Sequence, residues 1–572
     1  MIDAMFQDVR SAVEEVLQLC KALCLALDGW TDDKGQTLVN ACLVAFGLPF
    51  WSYQVTPKGE RHTVKFYKDV MKAALVRKNL YGVVSDSPTG MVAFRNAVAA
   101  DADGKLHPVA CDFHVDDKSC GDVCGKGPLD AKAFIIPQLD TTSDTSLISL
   151  AKGFVKYFLN RGVPNGLVRE IRAEMNKGRR LQKEPLISSL RLPGDTRATS
   201  IATCMVSVSD NKPVLRAAVL DERWDEYQTA MAEKVDRLKA DSMAKFARSS
   251  ETMDKIGTYG TFLSLFQQKQ RVSELRDKAL SDVVYDTGEL LRRIDAFEGV
   301  DAAAKSKARA AVIYRFDHTF YTPSVALAWR LDPRGEFGKK LDVSWSSHEF
   351  AKDADQCLLR RIRHLPTALQ QTIQEQYNDL LNGFVFNMLD PDVVAALQRA
   401  NDIPLYRWAA TKQTAACREL FSNVLVPLFS MPCVADGCEH GNSIYKWIQT
   451  GRVSLDDASA AKLVYIVINL RLLQQYKMLN GVERPVGGFK LGWGWPPAAE
   501  LQAAALAEAR AEPDADLVSA RSRLQAAADA LASAATADGD DAAAEAEAGG
   551  AVASPVRRSP RLAKRPRKEI EE

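Results

Sequence analysis

The stretch LCLALDGWTDDK, residues 23–34, places an aspartate directly after a run of apolar residues. A short apolar run of this kind predicts a buried strand. Aspartate is disfavoured within strands, whereas the end of a strand is where an α/β fold presents functional side chains. Asp28 is therefore a candidate site residue, although Asp28 and Gly29 would also serve as the residues of a simple turn.

The composition is that of a globular protein without a charge bias. The chain has 572 residues, enough for about two to four domains, and its 74 basic residues nearly cancel its 73 acidic ones. No run of about 18 apolar residues is present, so neither a transmembrane helix nor a membrane partner is predicted. The N-terminal segment has early acids and helical periodicity, unlike a secretory signal. The 11 cysteines lie mostly in apolar segments, which is typical of buried thiols in a reducing compartment.

The first 125 residues predict an alternation of strands and helices. Three short apolar runs, at 23–28, 37–47 and 50–56, are rich in β-branched and aromatic residues and are separated by turn signals. This pattern predicts three antiparallel strands. A helical pattern, a further apolar run, a second helical pattern and a fifth strand follow at 58–78, 80–86, 87–100 and 107–117.

The predicted order is β-β-β-α-β-α-β, and the first and fourth strands end on Asp28 and Asp86. In a ribonuclease H-like α/β fold these two strands are neighbours, so the two carboxylates would share one site. Carboxylates side by side repel each other unless divalent cations lie between them. Oxygen ligands of this kind bind Mg²⁺, and two such ions support phosphoryl transfer. The order therefore predicts a ribonuclease H-like fold with a metal site at the two aspartates.

Three blocks of this region resemble hAT-type transposases, most closely the plant and fungal group that carries a domain of unknown function before a helical insertion. The blocks are DGWTD at 28–32, GVVSDSPTGM at 82–91 and ACDFH at 110–114, in the order in which the family has them. LAWRLDPR at 327–334 resembles a family stretch near the end of the insertion. Residues 438–473 resemble the C-terminal dimerisation segment, so the resemblance covers about residues 20–480.

The resemblance implies a ribonuclease H-like mixed sheet interrupted by a large all-helical insertion. It implies that Asp28 and Asp86 are metal-binding aspartates and that Glu439 completes an Asp-Asp-Glu catalytic set. These acids would hold two Mg²⁺ or Mn²⁺ ions for DNA strand cleavage and transfer. DNA, a homo-oligomer formed through the C-terminal segment and the nucleus are the implied partners and location. The predicted domains are 1–125 and 416–480 for the two parts of the ribonuclease H-like domain, 126–415 for the insertion and 481–572 for a tail.

The chain departs from the family pattern in two places. After Glu439 it reads HGNS, where the family usually has arginine, a polar residue, an aromatic residue and serine, and only Arg452 remains of a basic element. Family members often begin with a zinc-coordinating finger, and no such spacing precedes Asp28. We therefore expect a truncated gene product or a domesticated derivative. Three functions stay open: an active transposase, a catalytically inactive nuclear DNA-binding and dimerisation protein, and a stand-alone nuclease.

Cys111 and His114 belong to one of the family blocks. Together with Arg452 they are predicted to contact DNA or to surround the metal ligands. With Cys120 and Cys124 they form the pattern C-x₂-H-x₅-C-x₃-C, whose residue types can bind zinc. Because the spacing fits no zinc-finger pattern, structural zinc is not predicted. The alternative for His114 is a partly buried histidine whose hydrogen bonds are satisfied within the fold.

The C-terminal tail is predicted to be a separate low-complexity segment. Residues 498–550 are rich in alanine and become acidic, which is typical of a disordered linker. The run SPVRRSPRLAKRPRK then indicates nuclear localisation or non-specific contact with nucleic acid, although a solvated charged end would look the same. Its seven bases are Arg557, Arg558, Arg561, Lys564, Arg565, Arg567 and Lys568.

Overall fold

A computed structural model describes residues 2–20, 22–31, 37–45, 48–55, 63–74, 80–86, 88–100, 106–126, 129–194, 197–273, 278–333, 342–382, 417–449 and 457–479. The chain divides into residues 3–494 and a second unit, residues 1–2 and 495–572. Apart from Ile2, everything described below belongs to the first unit. Arg452 and the seven bases of the tail lie outside the described residues, so the predictions for them stay predictions.

The described strands form one mixed sheet of five strands in the order β3-β2-β1-β4-β5. Strand β2 runs antiparallel to β1 and β3, whereas β1, β4 and β5 are parallel to one another. The predicted α/β class and the predicted order of strands and helices in the first 125 residues are confirmed. The strands are β1 (Leu23–Thr31), β2 (Thr37–Ala45), β3 (Leu48–Val55), β4 (Leu80–Ser85) and β5 (His107–Ala110).

Helices precede, connect and follow the strands. The helix α1 (Ile2–Leu19) precedes β1, and no described helix combines the length and the apolarity of a membrane span. Three helices lie between or directly after the later strands: α2 (Val64–Ala74), α3 (Thr89–Ala99) and α4 (Asp112–Val123). Two helices end the described part of the chain: α17 (Asp436–Gln449) and α18 (Asp457–Leu479).

Between residues 129 and 382 every regular element that the structure describes is helical. Most belong to one hydrophobic core that includes Phe154, Trp224 and Phe262, which agrees with the predicted helical region. The boundaries predicted for that region, 126 and 415, stay predictions. The helices are α5 (Leu147–Asn160), α6 (Gly162–Gln182), α7 (Ser200–Asp210), α8 (Lys212–Ala218), α9 (Glu222–Thr229), α10 (Lys234–Arg248), α11 (Ser250–Ser273), α12 (Leu280–Ala296), α13 (Ala302–Arg315), α14 (Pro323–Leu331), α15 (Phe350–Ile362) and α16 (Thr367–Leu381).

Strand β1 is buried on both of its faces. All five residues from Leu23 to Leu27 are almost fully inaccessible to solvent. A central strand of an α/β sheet has this property because helices cover both faces of the sheet. The continuous apolar run LCLAL, rather than an alternating one, is the sequence signal of such a strand.

Strand β5 is shorter than predicted, because only His107–Ala110 of the segment 107–117 is extended. Its neighbour β4 ends at Ser85, which pairs with Ala110, so no described strand pairs with the residues beyond Ala110. The N–H of Cys111 donates the last bond, to the carbonyl of Ser85 at 2.9 Å. Helix α4 then begins at Asp112, whose negative charge suits the first turn of a helix.

Helix α18 covers β3 and holds its backbone through Asn469. The Asn469 side chain accepts a hydrogen bond from the N–H of Trp51 at 2.8 Å and donates one to the carbonyl of Trp51 at 2.9 Å. Both Asn469 and Trp51 are buried. Helix α18 also reaches α1, where the Tyr465 and Phe6 rings lie 4.9 Å apart. The chain thus returns after about 400 residues to complete the layer that covers the sheet.

Candidate metal centre

Asp28 lies where β1 loses one of its two neighbours. Strand β1 pairs with β4 as far as Leu27, opposite Ser85, and beyond that point it pairs only with β2. The N–H of Asp86 donates to the carbonyl of Leu27 at 3.3 Å, where the two parallel strands separate. The prediction that the strand ends at Asp28 is wrong, because pairing with β2 extends β1 to Thr31. The two aspartates nevertheless follow the last paired residues of neighbouring parallel strands.

Three side chains converge at this edge of the sheet. Carboxylate oxygens of Asp28 and Asp86 and a ring nitrogen of His114 all lie within 4.8 Å of one another. Asp28 is buried, with 3% of its surface exposed, while Asp86 and His114 are partly accessible. The Nδ1 atom of His114 lies 3.3 Å from Oδ1 of Asp86. His114, on the first turn of α4, therefore faces the acidic pair.

The donor set of this cluster fits a divalent metal ion. Carboxylate oxygens suit Mg²⁺ and Mn²⁺, and imidazole nitrogen is a common ligand of transition-metal ions. Octahedral ions with bonds of about 2.0–2.1 Å hold their ligand atoms about 3–4 Å apart. The observed limit of 4.8 Å is slightly larger, so small side-chain movements would bring the three groups around one ion.

Arg95 of α3 fixes the end of β4 and therefore the position of Asp86. Its Nη1 atom donates to the carbonyl of Ser85 at 2.9 Å and to the hydroxyl of Ser85 at 2.8 Å. It also donates to the carbonyl of Asp86. Burial lowers the pKa of Arg95 to about 10, an effect that the charge of Asp86 partly opposes. The guanidinium thus remains a buried cation behind the site at neutral pH.

Asp28 is positioned by a chain of two asparagines. The Nδ2 atom of Asn442, on α17, donates to Oδ2 of Asp28 at 3.0 Å. Asn40 of β2, which is fully buried, donates in turn to the side-chain oxygen of Asn442 and to the carbonyl of Cys438 at 3.4 Å. Because Asn40 holds the oxygen of the Asn442 amide, the nitrogen of that amide is directed at Asp28.

Helix α17, which carries Glu439, lies directly against the sheet. The Sγ atom of Cys438 donates to the carbonyl of Ala26 in β1 at 3.3 Å. Gly441 permits the close approach, because a Cβ atom at this position would collide with the ring of Trp51. The backbone of Glu439 therefore lies beside β1, and its side chain lies outside the described part of the structure.

Sequence reasoning did not identify two further residues near the site. Tyr67 of α2 is buried, and burial together with the charges of Asp86 and Asp28 raises its pKa to about 12. Burial lowers the pKa of Lys118, and the charge of Asp86 opposes this. Lys118 follows His114 by four positions, so both share one face of α4. That spacing was the available signal for Lys118, whereas the approach of Tyr67 depends on how α2 packs.

Cys111 lies close to the site in sequence but makes a different contact. It is buried at the start of α4, where its Sγ atom accepts a hydrogen bond from the N–H of Ala435 at 3.3 Å. Cys120 and Cys124 belong to the helical core. Among the described side chains, the group able to hold a metal is that of Asp28, Asp86 and His114, and it includes no cysteine.

No protein-family model matches the chain, and a search of curated proteins found no significant match.

Proposed function

We propose that the chain is an hAT-type DNA transposase or a domesticated derivative of one, with a divalent-metal site at Asp28 and Asp86. The observation that carries this proposal is the convergence of two carboxylates and one imidazole from β1, β4 and α4. These are the elements that carry three sequence blocks resembling the family, in the same order along the chain. The resemblance and the spatial proximity therefore both identify Asp28 and Asp86.

The sheet supports a ribonuclease H-like fold for this domain. Strand β1 has the antiparallel strands β2 and β3 on one side and the parallel strands β4 and β5 on the other. This is the arrangement we expect for a ribonuclease H-like sheet. The two aspartates lie on its neighbouring parallel strands, where such a fold would hold its metal ligands.

Each residue of the site has a separate role in the proposed reaction. Asp28 and Asp86 would bind Mg²⁺ or Mn²⁺, and Glu439, whose helix packs on β1, is proposed as the third acid. The metal would polarise the scissile phosphate and activate the attacking water or 3′-hydroxyl. His114, whose Nδ1 atom lies 3.3 Å from Oδ1 of Asp86, would contact the phosphate beside the metal. Asn442 and Arg95 would keep the two aspartates in place.

A second candidate function is that of a catalytically inactive DNA-binding and dimerisation protein. The hydrogen bond from Asn442 to Oδ2 of Asp28 favours it, because this bond satisfies part of a buried carboxylate without any metal. A DNA partner, a homo-oligomer and location in the nucleus belong to both candidates. Only the first requires metal-dependent cleavage.

A plasmid-nicking assay in Mn²⁺ tests the proposal. We expect the wild type to nick supercoiled DNA and Asp86→Asn to lose this activity. Asp69→Asn, an exposed aspartate on α2, is the matched control and should behave like the wild type. DNA binding without nicking would support the inactive candidate. Nicking without any preference for particular DNA ends would instead indicate a stand-alone nuclease.

A further inference from the structure

A row of arginines lies on helix α6, far along the chain from the metal centre. Arg169, Arg172 and Arg180 line a groove of about 360 Å³ together with Ala173 and Asn176. Because an α-helix turns by about 100° per residue, these five positions share one face. The acids of the same helix, Glu170 and Glu174, lie about 100–140° away from that face. We call this feature the α6 arginine groove.

The three arginines carry positive charge that no described side chain neutralises through an ion pair. Among the described residues none of the three guanidinium groups forms a hydrogen bond or an ion pair. Burial and the charge of Arg169 lower the pKa of Arg172, as expected where cations stand together. Other arginines nearby are engaged: Arg161 contacts Asp236 at 2.8 Å, Arg179 contacts the carbonyl of Pro185 at 2.7 Å and Arg223 contacts Glu170 at 2.8 Å.

The groove has a fixed wall. Asn176, which lines it, donates to the carbonyl of Ile187 at 3.0 Å and accepts from the N–H of Ile187 at 2.8 Å. The N–H of Glu184 donates to the carbonyl of Arg179 at 2.9 Å, which closes the end of the helix. The extended segment after α6 is therefore pinned beside the helix, and a ligand of the groove would meet a preorganised surface.

We propose that the α6 arginine groove binds the phosphodiester backbone of duplex DNA. Guanidinium groups recognise phosphate with paired N–H donors. Arg169 and Arg180 are 11 positions apart, or about 16 Å along the helix, which is the rise of about five base pairs. Contacts with the phosphate backbone position DNA without specifying its sequence. The choice of DNA as the polyanion rests on the proposed function.

A salt titration of DNA binding tests this inference. Full-length protein is mixed with a fluorescent duplex of random sequence in EDTA, and anisotropy is recorded between about 50 and 200 mM NaCl. The test variant is R169Q/R172Q/R180Q. The control variant R292Q/R293Q/R309Q also removes three charges, but from arginines that are paired with Glu289 or Asp295.

We expect the test variant to bind more weakly and its slope of log K against log salt to become shallower by about 2–3, since each phosphate contact contributes about 0.9. The control should keep the wild-type slope. Equal slopes for the two variants, with both folded by circular dichroism, would overturn the inference. If tripolyphosphate displaces DNA at an equal concentration of phosphate groups, the ligand of the groove is a soluble polyanion and not DNA, and the inference is overturned.

The test of the α6 arginine groove can be distinguished from the test of the metal centre. The titration contains no divalent ion, so DNA binding is measured in it without a metal at Asp28 and Asp86. If the wild type fails to bind Mn²⁺ but the test variant shows the expected change of slope, the groove proposal stands and the metal proposal fails. If the protein binds Mn²⁺ but the slope does not change, the metal proposal stands and the groove proposal fails.

Discussion

The Nδ2 atom of Asn442 donates a hydrogen bond to Oδ2 of Asp28 at 3.0 Å, although 414 positions separate the two residues. This contact joins α17 to the central strand of the sheet. It also occurs at the position where the family pattern places an aromatic residue. The ring of Trp51, from β3, lies against the neighbouring Gly441. Asn442 and Gly441 therefore both contribute to the packing of α17 on the sheet.

Asn442→Ala should lower the free energy of unfolding by about 1–3 kcal/mol, because it removes a donor from a buried carboxylate. Urea denaturation in EDTA measures the change. Asn96→Ala, an exposed asparagine on α3, is the control and should leave stability close to that of the wild type. If the two variants are equally stable, Asn442 does not hold Asp28.

Gly441→Ala should destabilise the protein by about 1–3 kcal/mol, because the added methyl group meets the buried ring of Trp51. Alanine otherwise favours a helix over glycine by about 1 kcal/mol. Gly178→Ala on α6 is the control, because nothing lies within 4 Å of the added Cβ. This variant should show only the effect of helix propensity and should stabilise the protein. Thermal melts of both variants provide the comparison. A Gly441→Ala variant as stable as the wild type would contradict the packing of α17 on β3.

Lys269→Met should cost about 3–5 kcal/mol, because it leaves two buried carboxylates without their cation. Nζ of Lys269 lies 3.0 Å from Asp112 and 2.6 Å from Asp116, which joins α11 to α4. Lys255→Met on the same helix removes an exposed lysine paired with Glu251 and should have little effect. Chemical denaturation of both variants at neutral pH tests the difference. A small loss for Lys269→Met would mean that the carboxylates are solvated.

Stability should fall between pH 7 and pH 4 partly because of His107. Burial and the charge of Arg360 lower the pKa of His107 to about 4. The unfolded chain takes up this proton near pH 6.5, earlier than the folded protein. The contribution is therefore complete above pH 6.5 and is lost as the pH falls towards 4, by about 3 kcal/mol.

Denaturation of His107→Gln at both pH values measures this contribution, because the variant cannot titrate there and its stability should change less with pH. Equal pH dependence in the wild type and in His107→Gln would contradict the assignment.

The sequence predicts the elements of the sheet better than their ends. The apolar runs ending at Asp28 and Asp86 mark β1 and β4 correctly, because buried strands require such runs. The extension of β1 to Thr31 depends on pairing with β2, which no local pattern records. Residues 112–117, the first part of the helix at Asp112–Val123, were predicted as strand, because alternating apolar residues continue past the point where β4 ends.

The site could be predicted only in part. Asp28, Asp86 and His114 were identified from motifs, and their proximity follows from the order of the strands. The contributions of Asn442, Arg95 and Tyr67 depend on how helices pack on the sheet, and long-range packing leaves no signal in a single sequence. The side chain of Glu439 and the whole of Arg452 lie outside the described residues, so their predicted roles await experiment.

Calorimetric titration of the full-length protein with Mn²⁺ tests the central claim most directly. The wild type should bind the ion, and Asp28→Asn, Asp86→Asn and Glu439→Gln should each bind it at least about tenfold more weakly, a loss of about 1.4 kcal/mol. Asp69→Asn should bind as the wild type does. A wild type that binds no Mn²⁺, or an Asp86→Asn variant that binds it equally well, would contradict the account.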